Sequence, residues 1–150
     1  MMDDRAVSIA VSHALMIGIS GILITGLLMG SATLLDHQEE RAAQQQVSDV
    51  GSETVSYIYE FDSLNQTGTG VNATVRPNYP GRIVDNYNYR LELENTTNGG
   101  TLEVQVSGLN VDREYQIQTD STIRNGSVDA TEMEINLCGP SGEITLGGCE

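Results

Sequence analysis

The sequence predicts an α+β protein: a long apolar helix at the N-terminus followed by a small antiparallel β domain. Three observations predict it. No Asp, Glu, Arg or Lys interrupts the run from Ala6 to Leu35, between Arg5 and Asp36. The next stretch repeats its apolar residues mostly at three- and four-residue steps, the period of a helix. From about Gly68 the period falls to two, with turn residues between the alternating segments.

The first element follows from length. Thirty helical residues rise about 45 Å, against roughly 30 Å of hydrocarbon in a bilayer. An ordinary secretory signal has an apolar core of about 7–15 residues and an Ala-x-Ala-like end. This run is longer and no such site follows it, which disfavours a removable signal of that kind. Arg5, offset by Asp3 and Asp4, votes for a cytoplasmic N-terminus. Gly26 and Gly30 form a GxxxG spacing, which places two glycines on one face and lets helices approach closely. The plainer reading is that glycine is common in membrane helices. Ser12 and His13 lie near the N-terminal end, where interfacial or backbone bonding accounts for them better than a proton relay.

The second element, residues 36–63, reads as an amphipathic extension of the helix. Leu35, Ala43, Val47, Val50, Thr54, Ile58 and Phe61 recur along one stripe, with Glu39, Glu40, Gln44, Gln45, Asp49 and Glu53 between them. That stripe is expected to dock on the domain that follows. Gly51 weakens the helix and marks an expected kink.

The third element, residues 64–150, carries the strands. Leu91 and Leu93, then Leu102, Val104 and Val106, alternate with Glu92, Glu94, Glu103 and Gln105. Tyr115 and Ile117, then Met133, Ile135 and Leu137, do the same with Gln116, Gln118, Glu134 and Asn136. Each set predicts a strand with its apolar side inward. Asn95–Gly100 reads as a hairpin loop in which Asn98-Gly99 supplies positive φ. About six short strands at this spacing predict a small sandwich or rolled sheet.

Charge narrows the partners. Beyond Leu35, six arginines stand against nineteen Asp and Glu, a net −13, and the chain has no lysine. Such a surface repels nucleic acid and anionic lipid. Dense acidity without lysine points to adaptation to high salt, where cations screen self-repulsion. Catalytic constellations are missing from the pattern, so no enzyme and no cofactor is expected. His13 and His37 are the only histidines, both ahead of the β region, which removes His-based triads there. With two thiols at the other end of the chain, a metal site is not expected either. The pairs Glu92/Glu94 and Glu132/Glu134 read as solvated strand faces.

Cys138 and Cys149 lie in turn-rich surroundings that can fold back, so a disulfide is expected outside the cell, with two free thiols as the alternative. Four Asn-x-Ser/Thr tripeptides begin at Asn65, Asn72, Asn95 and Asn125. All fall in expected loops or strand ends, where a glycan can sit.

The residues Asp3-Asp4-Arg5-Ala6-Val7-Ser8, followed by an uninterrupted apolar helix, resemble the start of haloarchaeal type IV pilin-like proteins. The resemblance covers about the first 35 residues. It implies a charged leader, residues 1–6, cut by a prepilin peptidase at the Arg5-Ala6-Val7 junction. Residues 7–35 would then anchor the protein in the membrane and later pack against other pilin-like subunits in a surface filament. The β domain would be extracellular. Many archaeal pilins carry Ser-Pro just after the cut, whereas Ser8 is followed by Ile9. Bacterial-type pilins carry Glu at the fifth mature position, which is Val11 here. A minor or accessory subunit fits these departures better than an abundant one. The alternative is a single-span surface protein whose uncleaved helix anchors a ligand-binding β domain.

Overall fold

The structure is a computed structural model that describes residues 3–68 and 70–149, without the side chains of residues 3–10, 32, 33, 35 and 36. Helix α1 (Asp3–Thr67) is followed by strands β1 (Ala73–Val75), β2 (Tyr89–Thr96), β3 (Gly99–Val106), β4 (Asp112–Gln118) and β5 (Gly126–Asp129). A 3-10 turn (Ala130–Glu132) leads to β6 (Ile135–Cys138) and β7 (Glu143–Leu146). One helix and two antiparallel sheets make the fold α+β.

The chain forms two compact units, Met1–Glu39 and Glu40–Glu150, and α1 contributes to both. The expected boundary at 63/64 therefore moves. Helical residues from Glu40 onward belong with the strands, because their apolar stripe is part of the β domain's core. The helix also ends at Thr67, not 63. Gln66 Nε2 donates to Asp62 Oδ2 at 3.0 Å, and the Gly68 N–H closes the last turn on Leu64 O at 3.1 Å.

The stripe itself falls where its spacing placed it. Ala43, Val47, Val50, Thr54, Ile58 and Phe61 are buried, while Glu40, Gln44, Gln45, Asp49 and Glu53 face outward. Leu35's side chain lies outside the described residues. Gly51 does not interrupt α1. It is buried, and a Cβ there would lie 2.2 Å from Tyr115 Cε2. Its role is room for that ring, whose hydroxyl donates to Ser48 O at 3.2 Å.

The sheets run in the orders β4-β3-β2-β5 and β1-β6-β7, with every neighbour antiparallel. Leu91, Leu93, Leu102, Val104, Val106, Ile117 and Val128 from the first share one cluster with Ile135, Leu137, Ile144 and Leu146 from the second and with the α1 stripe. The β2–β3 loop is tighter than expected. Pairing continues through Thr96↔Gly99, leaving only Thr97 and Asn98 as the loop. Positive φ falls on Gly99 at 135° and not on Asn98. A Cβ on Gly99 would sit 2.1 Å from Ile117 O, so close approach of β4 also requires glycine.

Strand β6 departs from alternation: all four residues are buried. Asn136, expected to face water, is 4% exposed. It lies in the central strand of its sheet, accepts from the Thr74 hydroxyl and donates to Gly147 O, so its amide is satisfied without water.

The outer face of the larger sheet carries like charges in register. Glu103 lies directly opposite Glu92 on one side and Glu114 on the other. Directly opposed residues have Cβ atoms about 4.5–5.5 Å apart, close enough for like charges to destabilise a sheet. Replacing the central member, Glu103→Gln, is expected to stabilise the domain at low ionic strength by about 0.5–1 kcal/mol. The gain should fade toward molar salt as screening shortens to about 3 Å. Melting wild type and variant in detergent across a salt series checks this. A gain independent of salt would assign the effect to something other than charge.

Candidate functional site

The described part of the N-terminal unit is helical. Val11–Ser31 is long and apolar enough to cross a membrane, and none of it is buried. Val11, Leu15, Met16, Ile17, Ile22, Leu23, Leu27 and Met29 are all more than half exposed. Two of its hydroxyls turn inward on the backbone: Thr25 donates to Gly21 O and Ser31 to Leu27 O, each at 2.8 Å. That satisfies polar groups without water, as an apolar solvent demands. A Cβ on Gly26 or Gly30 would meet nothing within 4 Å, and the same holds for Gly18 and Gly21. Ile17, Gly18, Gly21, Ile22, Thr25 and Gly26 line a shallow groove along the helix. Of the expected leader junction, the backbone of Arg5, Ala6 and Val7 is helical, and their side chains lie outside the described residues.

In the β domain the polar centre is Asp62, which the sequence reading passed over. The available signal was its place: it continues the buried row Thr54, Ile58 at the next four-residue step. Oδ1 accepts the Ser121 N–H at 2.9 Å and Oδ2 accepts Gln66 Nε2. Burial pushes the carboxyl pKa up, but hydrogen bonds from Thr119, Ser121 and Gln66 outweigh it and hold the group below its ordinary value. Two tyrosines also tie α1 and the loop before β2 into the core. The Tyr79 hydroxyl lies 3.0 Å from Thr54 Oγ1, and Tyr89 donates to Pro80 O at 2.8 Å. Burial raises both phenols, Tyr89 to about 12.

Cys138 and Cys149 are bridged, with Cα atoms 5.7 Å apart. Closing a loop of 11 residues contributes about 3 kcal/mol in the chain-entropy model. The four sequon asparagines differ in place and partners. Asn65 lies in α1 rather than in a loop, and its Nδ2 donates to Ser121 Oγ at 3.0 Å and Gly142 O at 3.3 Å. Asn95 is within β2, and its Nδ2 donates to Ile123 O at 2.7 Å. Asn72 and Asn125 precede β1 and β5, and each accepts a backbone N–H on Oδ1, from Gly139 and Asn95 respectively, at 2.6 Å.

Among the described residues, no group of three or more His, Cys, Asp or Glu is placed to hold a metal ion. The clefts of the β domain are open and polar. One of about 360 Å³ is lined by Asp62, Asn98, Gln118, Thr119 and Asp120. The outward carboxylates Glu92 and Glu94 stand on the exposed side of β2, as expected.

The chain belongs to the DUF7266 family, a family of unknown function whose model matches residues 2–146. The match takes in both units, so the apolar helix is part of what defines the family. No curated protein and no solved structure matches the chain.

The lowered pKa of Asp62 has a pH consequence. A carboxyl depressed on folding adds stability above its unfolded value, about 3.9, that is lost as pH falls through the folded value. Asp62→Asn is therefore expected to destabilise the domain by about 1–2 kcal/mol at neutral pH. The gap should shrink below about pH 4, where the unfolded carboxyl takes up a proton that the folded one still resists, and close as the folded group protonates in turn. Denaturant melts at several pH values check it, and a gap constant with pH would assign the loss to packing.

Proposed function

We propose that this chain is a pilin-like structural subunit, without chemistry of its own, of a type IV pilus-like surface filament. Its N-terminal helix holds it in the membrane, single-pass, before assembly, with the β domain outside the cell. The observation that carries the reading is the wholly exposed apolar segment Val11–Ser31 in the same helix that builds the core of the β domain. An apolar helix leaves lipid at little cost only for other apolar helices, and its internally bonded backbone and hydroxyls suit either setting. The family match across both units supports treating helix and domain as one working whole. The Lys-free acidic exterior fits a halophilic, archaeal surface. The partners are a prepilin peptidase at Arg5-Ala6-Val7 and other pilin-like subunits along the face that carries Gly26 and Gly30.

The test begins with the mature N-terminus. Sequencing of membrane-extracted protein is expected to read Val7 first. A chain starting at Met1, or near Asp36, would sink the proposal, and an intact Met1 would favour the anchored binding protein. Assembly is then read in a double variant, Gly26→Leu with Gly30→Leu. It should stay in the membrane fraction, because the helix remains apolar, and fall in sheared filaments, because the new side chains hold neighbours apart. Equal recovery in filaments would show that this face does not pack.

A further inference from the structure

The four sequons are equivalent in sequence but not in hydrogen bonding. An N-linked glycan replaces one hydrogen of the asparagine Nδ2, so that nitrogen must be accessible and uncommitted. A backbone partner fixes each amide's orientation. Gly142 O and Ile123 O can only accept, so they face the Nδ2 atoms of Asn65 and Asn95. The N–H groups of Gly139 and Asn95 can only donate, so they face the Oδ1 atoms of Asn72 and Asn125. Turning any of the four over would set like against like.

Asn65 is the least available. Its Nδ2 donates to two acceptors, it sits half-buried in a helix, and a Cβ at Gly142 would lie 2.7 Å from that nitrogen. Its sequon hydroxyl, Thr67, is turned back on Ser63 O and Leu64 O. Asn95 keeps its Thr97 but spends its nitrogen on Ile123. Asn72 frees its nitrogen, yet Thr74 is bonded to Asn136 and the amide lies tight over Gly139. At Asn125-Gly126-Ser127 both groups are open. Asn125 and Ser127 are exposed, and among the described residues neither Asn125 Nδ2 nor Ser127 Oγ has a hydrogen-bond partner. The Oδ1 anchor on the Asn95 N–H holds the amide plane with its nitrogen directed away.

We infer that Asn125 is a glycan acceptor of this protein and that Asn65 is not. The inference rests on the extracellular placement of the β domain proposed above. The donor is a glycosyl phosphate. Asn125 Nδ2 forms the N–C bond to the anomeric carbon as the sugar's C–O bond to phosphate breaks. The phosphate leaves with the electron pair and takes up the proton that Nδ2 gives up. The Asn95 N–H···Oδ1 bond survives, because the reaction leaves Oδ1 untouched. A glycan on Asn65 would instead break the link between the end of α1 and the β6–β7 turn.

Arginine positions make the test direct. Trypsin cuts after Arg124, so the peptide starting at Asn125 holds that sequon alone, whereas Asn65 and Asn72 share the peptide that begins after Arg41. Protein purified from its own cells is digested, and intact glycopeptides are sequenced by fragmentation. The expected result is a sugar mass on Asn125 and none on Asn65. The full chain with Asn125→Gln should lose that mass, and Asn65→Gln should lose none. A bare Asn125 or an occupied Asn65 overturns the inference. Protease treatment of intact cells reads the placement separately. A domain that is shaved from cells while Asn125 is bare overturns the glycan alone. A domain protected in intact cells overturns the placement as well.

Discussion

Burial of one helical face organises the β domain. The row from Ala43 to Phe61 fills the cluster that receives side chains from both sheets. Fully burying a large apolar side chain is worth about 1.5–3 kcal/mol. The helix packs that face into a cluster to which both sheets, of three and four strands, contribute the remaining buried side chains. The same helical segment also supplies the polar links. Gln46 accepts the Val84 N–H, Thr54 meets Tyr79, Asp62 accepts from Ser121, and Asn65 donates to Gly142. These partners come from three separate stretches of the chain: the loop before β2, the segment after β4 and the β6–β7 turn. Val84 shows what such a link sustains: a β-branched residue at φ 51°, in the left-handed region, costs about 1–2 kcal/mol and persists only where its surroundings fix it.

The two units answer the same physical problem in opposite ways. The described part of the N-terminal unit exposes its apolar residues and turns the Thr25 and Ser31 hydroxyls back on its own backbone. The β domain hides its apolar residues and exposes carboxylates. In the first, glycine leaves the helix surface open. In the second, Gly51 and Gly99 bring parts of one fold together by admitting Tyr115 and strand β4. The role of a glycine in this chain is thus set by what lies across from it, which periodicity does not reveal.

That difference explains what could be read from the residues alone. Periods of 3.6 and 2 are local, so the stripe from Ala43 to Phe61 and the inward faces of β2, β3 and β4 were legible. Contacts across the chain were not. Asn136 looked like an outward residue because its neighbours alternate, and only Thr74 and Gly147, distant in sequence, make it a buried one. Gly51 looked like a helix breaker because Tyr115 was out of sight. Asn98-Gly99 carried the right turn chemistry, but β4 pressing on Gly99 fixed where the positive φ fell. The sequons were legible as tripeptides, whereas the direction each amide faces is tertiary information. The disulfide was legible because its ends are a short sequence separation of 11 apart, with several glycines between them.

The position of the core helix ahead of every strand constrains the order in which the chain can fold. During synthesis the face from Ala43 to Phe61 is made first, and its last partners, Ile144 and Leu146 on β7, come about eighty residues later. At roughly 5–20 residues per second, that face waits on the order of ten seconds for its final partners. Helix–coil relaxation takes about a microsecond, so the helix forms early and stands half-dressed in the interval. In that interval the acidic opposite face, with Glu40, Asp49 and Glu53, repels neighbouring nascent copies until β7 arrives.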